Sequence, residues 1–552
     1  MKTLESHSSL TLPETSPSNL DSSAENLVAS GVEAADALGV TVIIGGGPAG
    51  LTAAYELGKI GARCIVLESD SDVGGISRTV EYKGYRFDIG GHRFYTKVQP
   101  VNDFWHEVMP EGEFLRRKRM SRIYYQKKFF HYPIQAKDAL QNLGVLAAIA
   151  IVLSYARYRL FPIRPETSFE ANICNRFGRR LFETFFQTYT EKVWGVPCSQ
   201  ITADWANQRI KGFGLGQAIK KAVFEKIRPA KTSAPVLTTL IDSFEYPRHG
   251  PGQLWRRVAD LIDEHGNEVR MQTRARRILH DNTRVLAVEA ETKNGETERL
   301  EGEHFISSMP VRTLIHSFDP PAPQRVLDAA NTLRYRDFLT VALVLDCPHV
   351  FDDNWIYIHE PNVKMGRIQN FKNWSEEMVP DESKTCLGLE YFCFEGDGLW
   401  NLSDDELIEL GKRELETLGL AKACQIEDGC VVRQKKAYPV YDKDYQGALS
   451  VIREWLQTLP NLQLVGRNGM HRYNNQDHSM LTAMLAVHNI CGESFDLWSI
   501  NSDEDQEYGE ELPADTHHSD YNHSARSSTR MRSQLNQTQP RVPSTISTTK
   551  HP

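Results

Sequence analysis

Three glycines near the start of the chain have the type and the spacing that hold a nucleotide phosphate: Gly45, Gly47 and Gly50. The first permits a tight turn, the second lets the backbone approach a pyrophosphate, and the third lets a helix pack closely on a strand. Pro48 and Ala49 then open a helical pattern whose first N–H groups face the turn. This stretch predicts a phosphate site at a helix N-terminus.

An acidic residue completes the pattern. Glu68 ends the next apolar run, about 20 residues after the glycines, where a carboxylate accepts hydrogen bonds from a ribose and disfavours a 2′-phosphate. The order of strand, glycine turn, helix, strand and acid over residues 41–69 predicts a βαβ unit that binds a dinucleotide.

Glycines recur where other strands are expected to end. Gly74 and Gly75 follow the acid, Gly90 and Gly91 interrupt an alternating segment, and Gly466 lies in a late strand–glycine–helix unit. An NAD dehydrogenase usually keeps its dinucleotide unit contiguous, whereas distant parts of one chain contact a long ligand such as FAD. The spacing therefore favours FAD, with a second helix N-terminus near the flavin ring to stabilise negative charge on it.

The bulk composition argues against several classes of function. The 552 residues suffice for two or three domains, and the net charge of −9 does not indicate nucleic-acid binding. Nine scattered cysteines form no Cys-x-x-Cys pair and no Cys/His cluster. This argues against a metal site and for a reducing, cytoplasmic compartment.

Both ends of the chain are polar and poor in large apolar residues, so disordered tails are expected over 1–37 and 499–552. Residues 139–156 carry no charge, but their apolar centre is short for a transmembrane helix and more typical of a buried or surface-docked helix. The run 115–122 holds five cations in eight residues. Such a run is typical of a solvated face, but it also suits an anionic substrate or an acidic membrane surface, so peripheral membrane contact is a further expectation.

Periodicity predicts the elements that position these residues. Alternation predicts a hairpin over 120–134, and a capping box at Thr167 and Glu170 predicts a long helix with an aromatic stripe. Strand patterns then return twice, which predicts an α/β fold: a discontinuous Rossmann-like FAD-binding domain and a second, mixed α+β substrate domain. The FAD-binding domain is assigned to 38–102, 240–320 and 440–498, and the substrate domain to 103–239 and 321–439.

These motifs resemble the FAD-binding fold shared by amine oxidases, protoporphyrinogen oxidase, phytoene desaturases and UDP-galactopyranose mutase. The resemblance rests on GGGPAGLTAAYEL, the glycine pair after the acid, ISSMP and the late GR-x-G turn, and it covers most of 40–490. It implies FAD as the cofactor, a small-molecule substrate at the flavin face, and further cofactor contacts from Arg78, Ala275 and Ser308.

Several stretches are similar to those of UDP-galactopyranose mutases. GGHRFYT resembles the mutase loop beside the flavin, which implies that His92 lies near the ring. YTEKVWG resembles the segment with a substrate-facing aromatic, here Trp194, and GRIQNFKNW the segment with a diphosphate-binding arginine, here Arg367. GRNGMHRYNNQD resembles the C-terminal flavin loop, which implies cofactor contacts from Arg467, Tyr473 and Asp477.

Two departures from the mutase pattern keep the chemistry open. Phe213 stands four residues after Arg209, where the mutase pattern has a second arginine, although Lys211 lies between them. Tyr95 replaces the second histidine of the flavin loop. Because a diphosphate needs cationic partners, this loss argues against a nucleotide sugar. The leading interpretation is an FAD-dependent oxidoreductase that acts on an unidentified organic substrate at flavin N5.

Two other interpretations stay open. In the first, a mutase-like isomerase, reduced flavin N5 attacks the anomeric carbon of a sugar nucleotide while Arg367 and Arg209 hold the diphosphate. The second is a non-catalytic flavoprotein or a membrane-docked scaffold. Tyr438 and Tyr441 either line a pocket over the flavin or pack in a turn, and His92 either orients a substrate or is held by backbone atoms. The oligomeric state is left unassigned.

Overall fold

The computed structural model describes residues 38–132, 141–203 and 242–501. Its strands are β1 Thr41–Ile44, β2 Cys64–Leu67, β3 Thr79–Tyr82, β4 Tyr85–Asp88, β5 Phe114–Lys118, β6 Ser121–Tyr125, β7 Lys128–His131, β8 Ser243–Pro247, β9 Glu268–Arg270, β10 Thr273–His280, β11 Val285–Thr292, β12 Thr297–Glu301, β13 His304–Ser307, β14 Phe318–Asp319, β15 Tyr335–Leu345, β16 Trp355–Ile358, β17 Arg367–Asn370, β18 Thr385–Cys393, β19 Ile426–Pro439 and β20 Leu462–Leu464. Its α-helices are α1 Pro48–Lys59, α2 Gln99–Val108, α3 Val145–Leu160, α4 Phe169–Phe177, α5 Arg179–Phe182, α6 Thr188–Trp194, α7 Pro251–Glu264, α8 Val311–His316, α9 Gln324–Thr332, α10 Phe371–Trp374, α11 Asp404–Leu418, α12 Tyr445–Leu456, α13 Gly466–Gly469 and α14 Gln476–Ile490.

A parallel five-stranded sheet runs in the order β20, β13, β1, β2, β9. Its central strand β1 is buried at every position, as expected for a parallel strand covered on both faces. Helix α1 packs on β1 and β2, between α7 and α14. The strands of this sheet come from three separated parts of the chain. The predicted α/β class with a discontinuous parallel sheet is confirmed, whereas the individual domain boundaries stay predictions.

A mixed seven-stranded sheet lies beside it, in the order β19, β15, β18, β17, β16, β6, β7. One face carries Val341 and Leu389 and packs on α11. The opposite face carries Trp355, Arg367 and Glu390 and packs on β4 and β8 of the neighbouring layer. We call this second face the inner face.

Smaller sheets complete the strand structure. A four-stranded sheet has the order β12, β11, β10, β14, and β3–β4 and β5–β8 form two antiparallel ribbons. The hairpin predicted over 120–134 is present as β6 and β7, and its turn residues Gln126 and Lys127 have φ values of 50° and 57°. Two positive φ values give the turn the twist that a two-residue hairpin needs.

The long helix predicted from residue 167 is interrupted. Its N-cap is Ser168, whose hydroxyl accepts a hydrogen bond from the Ala171 N–H, rather than Thr167. Helix α4 then ends at Gly178, which has a φ of 84°, and a Cβ at that glycine would lie 2.6 Å from the Tyr155 nitrogen. The close approach of α3 therefore requires a glycine, and the chain continues through α5 and a π-helical turn into α6.

Helix α3 contains most of the apolar segment predicted over 139–156, and among its residues only Ile151 is buried. Within the described ranges, no helix combines the length and the apolar character needed to cross a membrane. At the C-terminal end, Ile500 is 2% exposed and Asn501 donates to the Tyr473 carbonyl, so ordered contacts run past the predicted boundary at residue 498. The tail predicted over 1–37 and residues 502–552 of the other predicted tail lie outside the described residues.

Candidate active site

The first glycine turn closes tightly against the neighbouring strands. Gly45 has a φ of 106°, and a Cβ there would lie 2.3 Å from the Ser308 hydroxyl oxygen. A Cβ on Gly50 would lie only 1.9 Å from the Gly45 carbonyl oxygen, so the helix can start here only without a side chain. Gly47 is the N-cap of α1, with Pro48 in the first turn, and no side chain caps this helix. Its first N–H groups are thus available to a phosphate.

The second glycine turn faces the first. The Gly74 N–H donates to the Gly46 carbonyl at 2.8 Å, and a Cβ on Gly47 would lie 3.8 Å from the Gly75 Cα. Two backbones without side chains therefore face each other at the N-terminus of α1. A side chain on either would enter the space that a pyrophosphate needs.

Glu68 is fixed beside these turns. One carboxylate oxygen accepts from the Gly46 N–H at 2.8 Å, and the other accepts from the Asp70 N–H at 2.8 Å. The oxygen bonded to Asp70 also accepts from the Ser69 hydroxyl at 3.3 Å, whereas the oxygen bonded to Gly46 retains a lone pair that can accept from a ribose hydroxyl. Arg78 is less available, because its guanidinium donates to Asp70 at 2.8 Å and lies near the Gly75 carbonyl.

The late glycine turn reaches the same place from the other end of the chain. Gly466 has a φ of 77°, and a Cβ there would lie 3.0 Å from the Ala49 Cβ and 3.9 Å from the Ser308 Cβ. Helix α14, which begins ten residues later, packs on α1. The structure thus brings together glycines that are more than four hundred residues apart in the sequence.

Helix α14 directs its N-terminus toward this region. Gln476 in its first turn accepts from the Trp255 indole N–H at 3.2 Å, while its amide nitrogen is buried without a partner in the part of the chain that the structure describes. Asp477 follows, with 12% of its side chain exposed. His478 caps this helix by accepting from the Asn475 N–H at 3.2 Å, and the buried amide donor of Gln476 beside it fits a cofactor with acceptor atoms, as an oxidised flavin has.

His92 links the second glycine turn to the inner face. Its Nε2–H donates to the Ile89 carbonyl at 3.0 Å, and the Ser77 hydroxyl lies 3.4 Å from Nδ1. Burial lowers the pKa of His92 to about 4, and the charges of Arg467 and Arg367 act in the same direction. His92 is therefore neutral near pH 7, with Nδ1 as an acceptor.

Gly90 and Gly91 bring this loop onto the inner face. A Cβ on Gly90 would lie 3.8 Å from the Arg367 Nη2, and one on Gly91 would lie 3.0 Å from the Gln369 amide nitrogen. Arg367 projects from β17, where its register partners are Tyr357 in β16 and Glu390 in β18. The side chain predicted to bind a diphosphate is therefore next to the loop predicted to lie beside the flavin.

Arg367 already has a counter-charge. Its Nε donates to Glu390, whose other oxygen accepts from the Gln369 amide at 2.8 Å. The Glu390 side chain is 0% exposed and that of Arg367 is 18% exposed. Burial alone would lower the pKa of Arg367, but the Glu390 charge raises it well above its usual value. Arg367 therefore keeps its positive charge, and the buried Glu390 lies against it as a counter-charge.

Aromatic side chains form a wall beside this pair. The rings of Tyr438 and Tyr473 lie 5.5 Å apart and nearly parallel, and the Arg467 guanidinium lies 5.3 Å and 4.9 Å from their centroids. Trp194 is 3% exposed and lies 6.4 Å from the rings of Tyr441 and Tyr473. Burial raises the pKa of Tyr438 to about 12, so this phenol keeps its proton.

The cofactor contact predicted for Ala275 stays a prediction. Ala275 lies in β10, two residues after Thr273, whose N–H donates to the Glu68 carbonyl at 2.7 Å, and its side chain is 8% exposed and packs in the core. Arg209, Lys211 and Phe213 lie outside the described residues. Among the residues at 38–132, 141–203 and 242–501, no group of His, Cys, Asp and Glu side chains could hold a metal ion.

Sequence reasoning missed two residues that define the inner face. Glu390 is the one acid in the otherwise uncharged strand β18, TCLGLEYFC, and Gln369 lies in β17 beside it. A carboxylate inside a buried strand is rarely unpaired, so its position was the available signal. The register that brings it to Arg367 was not available from the sequence.

The fold and sequence are similar to those of known flavoproteins. The solved structure of reduced UDP-galactopyranose mutase matches with a TM-score of 0.71 at 21% identity, over 84% of this chain and 96% of that one. A redesigned putrescine oxidase matches with a TM-score of 0.56 at 15% identity, over 83% of this chain and 99% of that one. At these identities the matches show the fold alone.

A curated relative matches over a shorter length. The 1-hydroxycarotenoid 3,4-desaturase of Flavobacterium sp. (strain P99-3) is 25% identical over 269 residues, which are 45% of this chain and 53% of the relative. The match thus spans about half the length of that relative. The model for "flavin containing amine oxidoreductase" matches residues 48–473, which is most of the chain. Together with the convergent glycine turns, this match shows that the chain belongs to the flavin-containing amine oxidoreductase family.

Proposed function

We propose that this chain is an FAD-dependent oxidoreductase that oxidises a small organic molecule. The family match supports a flavin, and the two facing glycine turns suit a cofactor with a pyrophosphate. In this proposal Gly47 and Gly75 flank the pyrophosphate, Glu68 accepts from the ribose, and Gly466 contacts the middle of the cofactor. A mononucleotide flavin would leave the site at Glu68 unused.

The chain's own residues would orient the substrate and exclude water. When bound, the flavin supplies a two-electron acceptor. Tyr438 and Tyr473 present ring surfaces that keep water from the reacting carbon, and Arg467 holds their orientation through its contacts with both rings. His92, which is neutral, offers Nδ1 as an acceptor for a substrate proton.

The pairing of Arg367 with Glu390 is the observation that favours redox chemistry over mutase chemistry. A sugar nucleotide brings a diphosphate, which needs cations that are not already neutralised. Here the guanidinium predicted to bind it shares its charge with a fully buried carboxylate. A diphosphate would therefore compete with Glu390, so the arrangement favours an uncharged or singly charged group at this position.

Flavin spectroscopy on the purified protein tests the proposal. Release of the cofactor and mass spectrometry identify FAD, and oxidised protein is then mixed anaerobically with amines, amino acids, alcohols and polyenes. We expect at least one class to bleach the visible flavin absorbance. In a parallel arm, dithionite-reduced protein is mixed with UDP-galactopyranose and the sugar products are separated. Interconversion of the sugar without net reduction of an acceptor would replace the redox proposal with the mutase one, and bound FAD that reacts in neither arm would favour the non-catalytic flavoprotein.

We also propose that helix α3 docks on an anionic membrane surface at the cytoplasmic face. Its large exposed apolar side chains recur at helical spacing and continue past its end: Val145, Leu146, Ile149, Val152, Leu153, Leu160 and Phe161. Leu146 is 84% exposed, which is costly in water and favourable in a lipid interface. The exposed Arg157, Arg159 and Arg164 follow on the same segment and complement acidic headgroups. All nine cysteines are free thiols, which supports a reducing compartment.

Vesicle flotation tests this docking. We expect the protein to float with vesicles that contain phosphatidylserine more than with pure phosphatidylcholine vesicles, and the double change Leu146→Glu and Leu153→Glu to abolish flotation. Leu286→Glu is the matched control, because Leu286 is an exposed leucine on the distant strand β11. Equal flotation of the double variant and the control would contradict the docking proposal and leave the flavin chemistry unaffected.

A further inference from the structure

An arginine beside the inner face forms no ion pair with any residue that the structure describes. Arg119 lies between β5 and β6, and its backbone N–H donates to the Asp242 carbonyl at 2.9 Å. All three nitrogens of its guanidinium are buried, and none has a hydrogen-bond partner in the described part of the chain. The neighbouring arginines do have hydrogen-bond partners. Arg117 donates to the Trp374 carbonyl, and Arg122 donates to both carboxylate oxygens of Asp353.

Two aromatic rings lie close to this guanidinium. Its central carbon lies 5.4 Å from the Tyr132 ring centroid and 5.6 Å from that of Trp355. Contacts with ring faces compensate part of the cost of burying the cation. The N–H groups of the guanidinium, which point in its plane, still have no acceptor among the described residues.

Two other buried polar groups of the inner face can also donate and have no partner in the described ranges. The Trp355 indole nitrogen and the Ser121 hydroxyl are both buried with no hydrogen-bond partner among the described residues. Trp355 and Ser121 are register partners across β16 and β6, so their side chains share one face of the sheet. Buried donors gathered in this way are satisfied by a ligand that supplies acceptors and negative charge.

This cluster is close to the residues that the oxidoreductase proposal uses. Trp355 lies two positions before Tyr357, which is roughly 7 Å along a strand. Tyr357 is the register partner of Arg367, and its ring lies 5.0 Å from that of Tyr132. Two aromatic residues, Tyr132 and Tyr357, therefore lie between the paired Arg367 and Arg119, which has no hydrogen-bond partner among the described residues.

We propose that Arg119, with Trp355 and Ser121, binds an oxyanion of the substrate, either a carboxylate or a phosphate. This inference rests on the proposed oxidoreductase function and names its substrate class: an organic molecule with an acidic group held away from the carbon that is oxidised. The acidic group lies against Arg119, and the rest of the molecule passes Tyr357 toward Arg367 and Gly90. The planar donor edge of a guanidinium matches a carboxylate through two parallel hydrogen bonds.

Calorimetric titration of the flavin-bound protein with three related aromatic probes tests this site. Benzoate and phenyl phosphate carry the two oxyanions, and benzamide is a neutral analogue of benzoate. We expect one oxyanion to bind at least ten times more tightly than benzamide, and the stronger of the two identifies the group. Arg119→Met should weaken oxyanion binding by about 10- to 150-fold, the effect of losing a charged hydrogen bond.

Two further variants separate a local role from a general one. Arg116→Met is the matched control, since Arg116 is an exposed arginine three residues away and should change affinity less than twofold. Arg119→Lys keeps the charge without the planar edge and should recover part of the affinity. Equal affinity for benzoate and benzamide, no binding of either oxyanion to the unaltered protein, or unchanged binding by folded Arg119→Met or Arg119→Lys would overturn the proposal. Because binding is measured without turnover, oxyanion binding at Arg119 by a protein that no substrate reduces would contradict only the redox function.

Discussion

Removing either partner of the Arg367–Glu390 pair should lower the free energy of unfolding, by an amount that depends on which partner is removed. In Arg367→Met, the fully buried Glu390 keeps the Gln369 amide as its one side-chain partner among the described residues. Stranding a buried charge costs about 3–5 kcal/mol. In Glu390→Gln the stranded charge is on Arg367, which is 18% exposed, so we expect a smaller loss of about 2–4 kcal/mol.

The double change Arg367→Met with Glu390→Gln removes both charges at once. Its loss of unfolding free energy should be smaller than the sum of the two single losses by about 2 kcal/mol or more, because no uncompensated charge remains. Urea unfolding of the flavin-bound proteins, followed by circular dichroism, measures these differences. Arg284→Met is a control, because Arg284 pairs with Glu303 on the surface and exposed pairs contribute about 0–1 kcal/mol.

The same variants test the argument about the substrate. Glu390→Gln frees the Arg367 charge and should therefore gain affinity for UDP, measured by calorimetry, relative to the unaltered protein. Single losses that add in the double variant to within about 0.5 kcal/mol would show that the two charges are not coupled. UDP binding that is equally tight before and after the change would refute the conclusion that Glu390 neutralises the site.

Three other predictions concern the cofactor turn and two buried titratable groups. Gly47→Ala should lose flavin while keeping the circular dichroism and melting temperature of the flavin-free protein. Gly50→Ala, whose Cβ would lie 1.9 Å from the Gly45 carbonyl oxygen, should lose both flavin and stability. Full flavin content in either variant would contradict the assigned turn. Because burial holds the pKa of His92 near 4, the pH–rate profile should keep its shape between pH 5 and 8 in His92→Gln, and loss of an inflection in that range would contradict a neutral His92. Burial raises the pKa of Asp88 to about 7, so its contribution to stability is present below pH 4 and is lost as pH rises through 7. The difference in unfolding free energy between the unaltered protein and Asp88→Asn should therefore fall as pH rises from 4 to 7, by at most about 1.4 kcal/mol per pH unit, and a constant difference would contradict the raised pKa.

The parts of the site that the sequence predicted are those that local sterics decide. A side chain on Gly45 or Gly50 would clash with neighbouring atoms, whereas the absence of a side chain on Gly47 leaves room for a ligand. The spacing of these three glycines is visible within six residues of sequence. The order of strand, turn and acid likewise depends on neighbouring residues. The late strand–glycine–helix unit predicted that Gly466 reaches the same cofactor, but the contact of Gly466 with Ala49 was not predicted, since nothing local connects them.

The parts that could not be predicted depend on register between distant strands. Arg367 is identifiable in the sequence, but its partner Glu390 depends on how β17 pairs with β18. Arg119 belongs to a basic run that is typical of a solvated face, and only the packing of Tyr132 and Trp355 shows that this one cation is enclosed. The break at Gly178 also depends on α3, because a helix pattern alone does not reveal a neighbouring backbone.

The strand order of the parallel sheet also determines when that sheet can be completed during synthesis on the ribosome. Strand β1 pairs with β2 soon after synthesis, but its other neighbour β13 begins at residue 304, and β20 closes the edge only at residue 462. At about 5–20 residues per second, roughly 20–80 seconds pass between β1 and β20. During that interval the nascent chain carries apolar strands with unpaired edges, which are prone to aggregate. The cofactor turn, although it is encoded first, becomes a finished binding surface only near the end of translation.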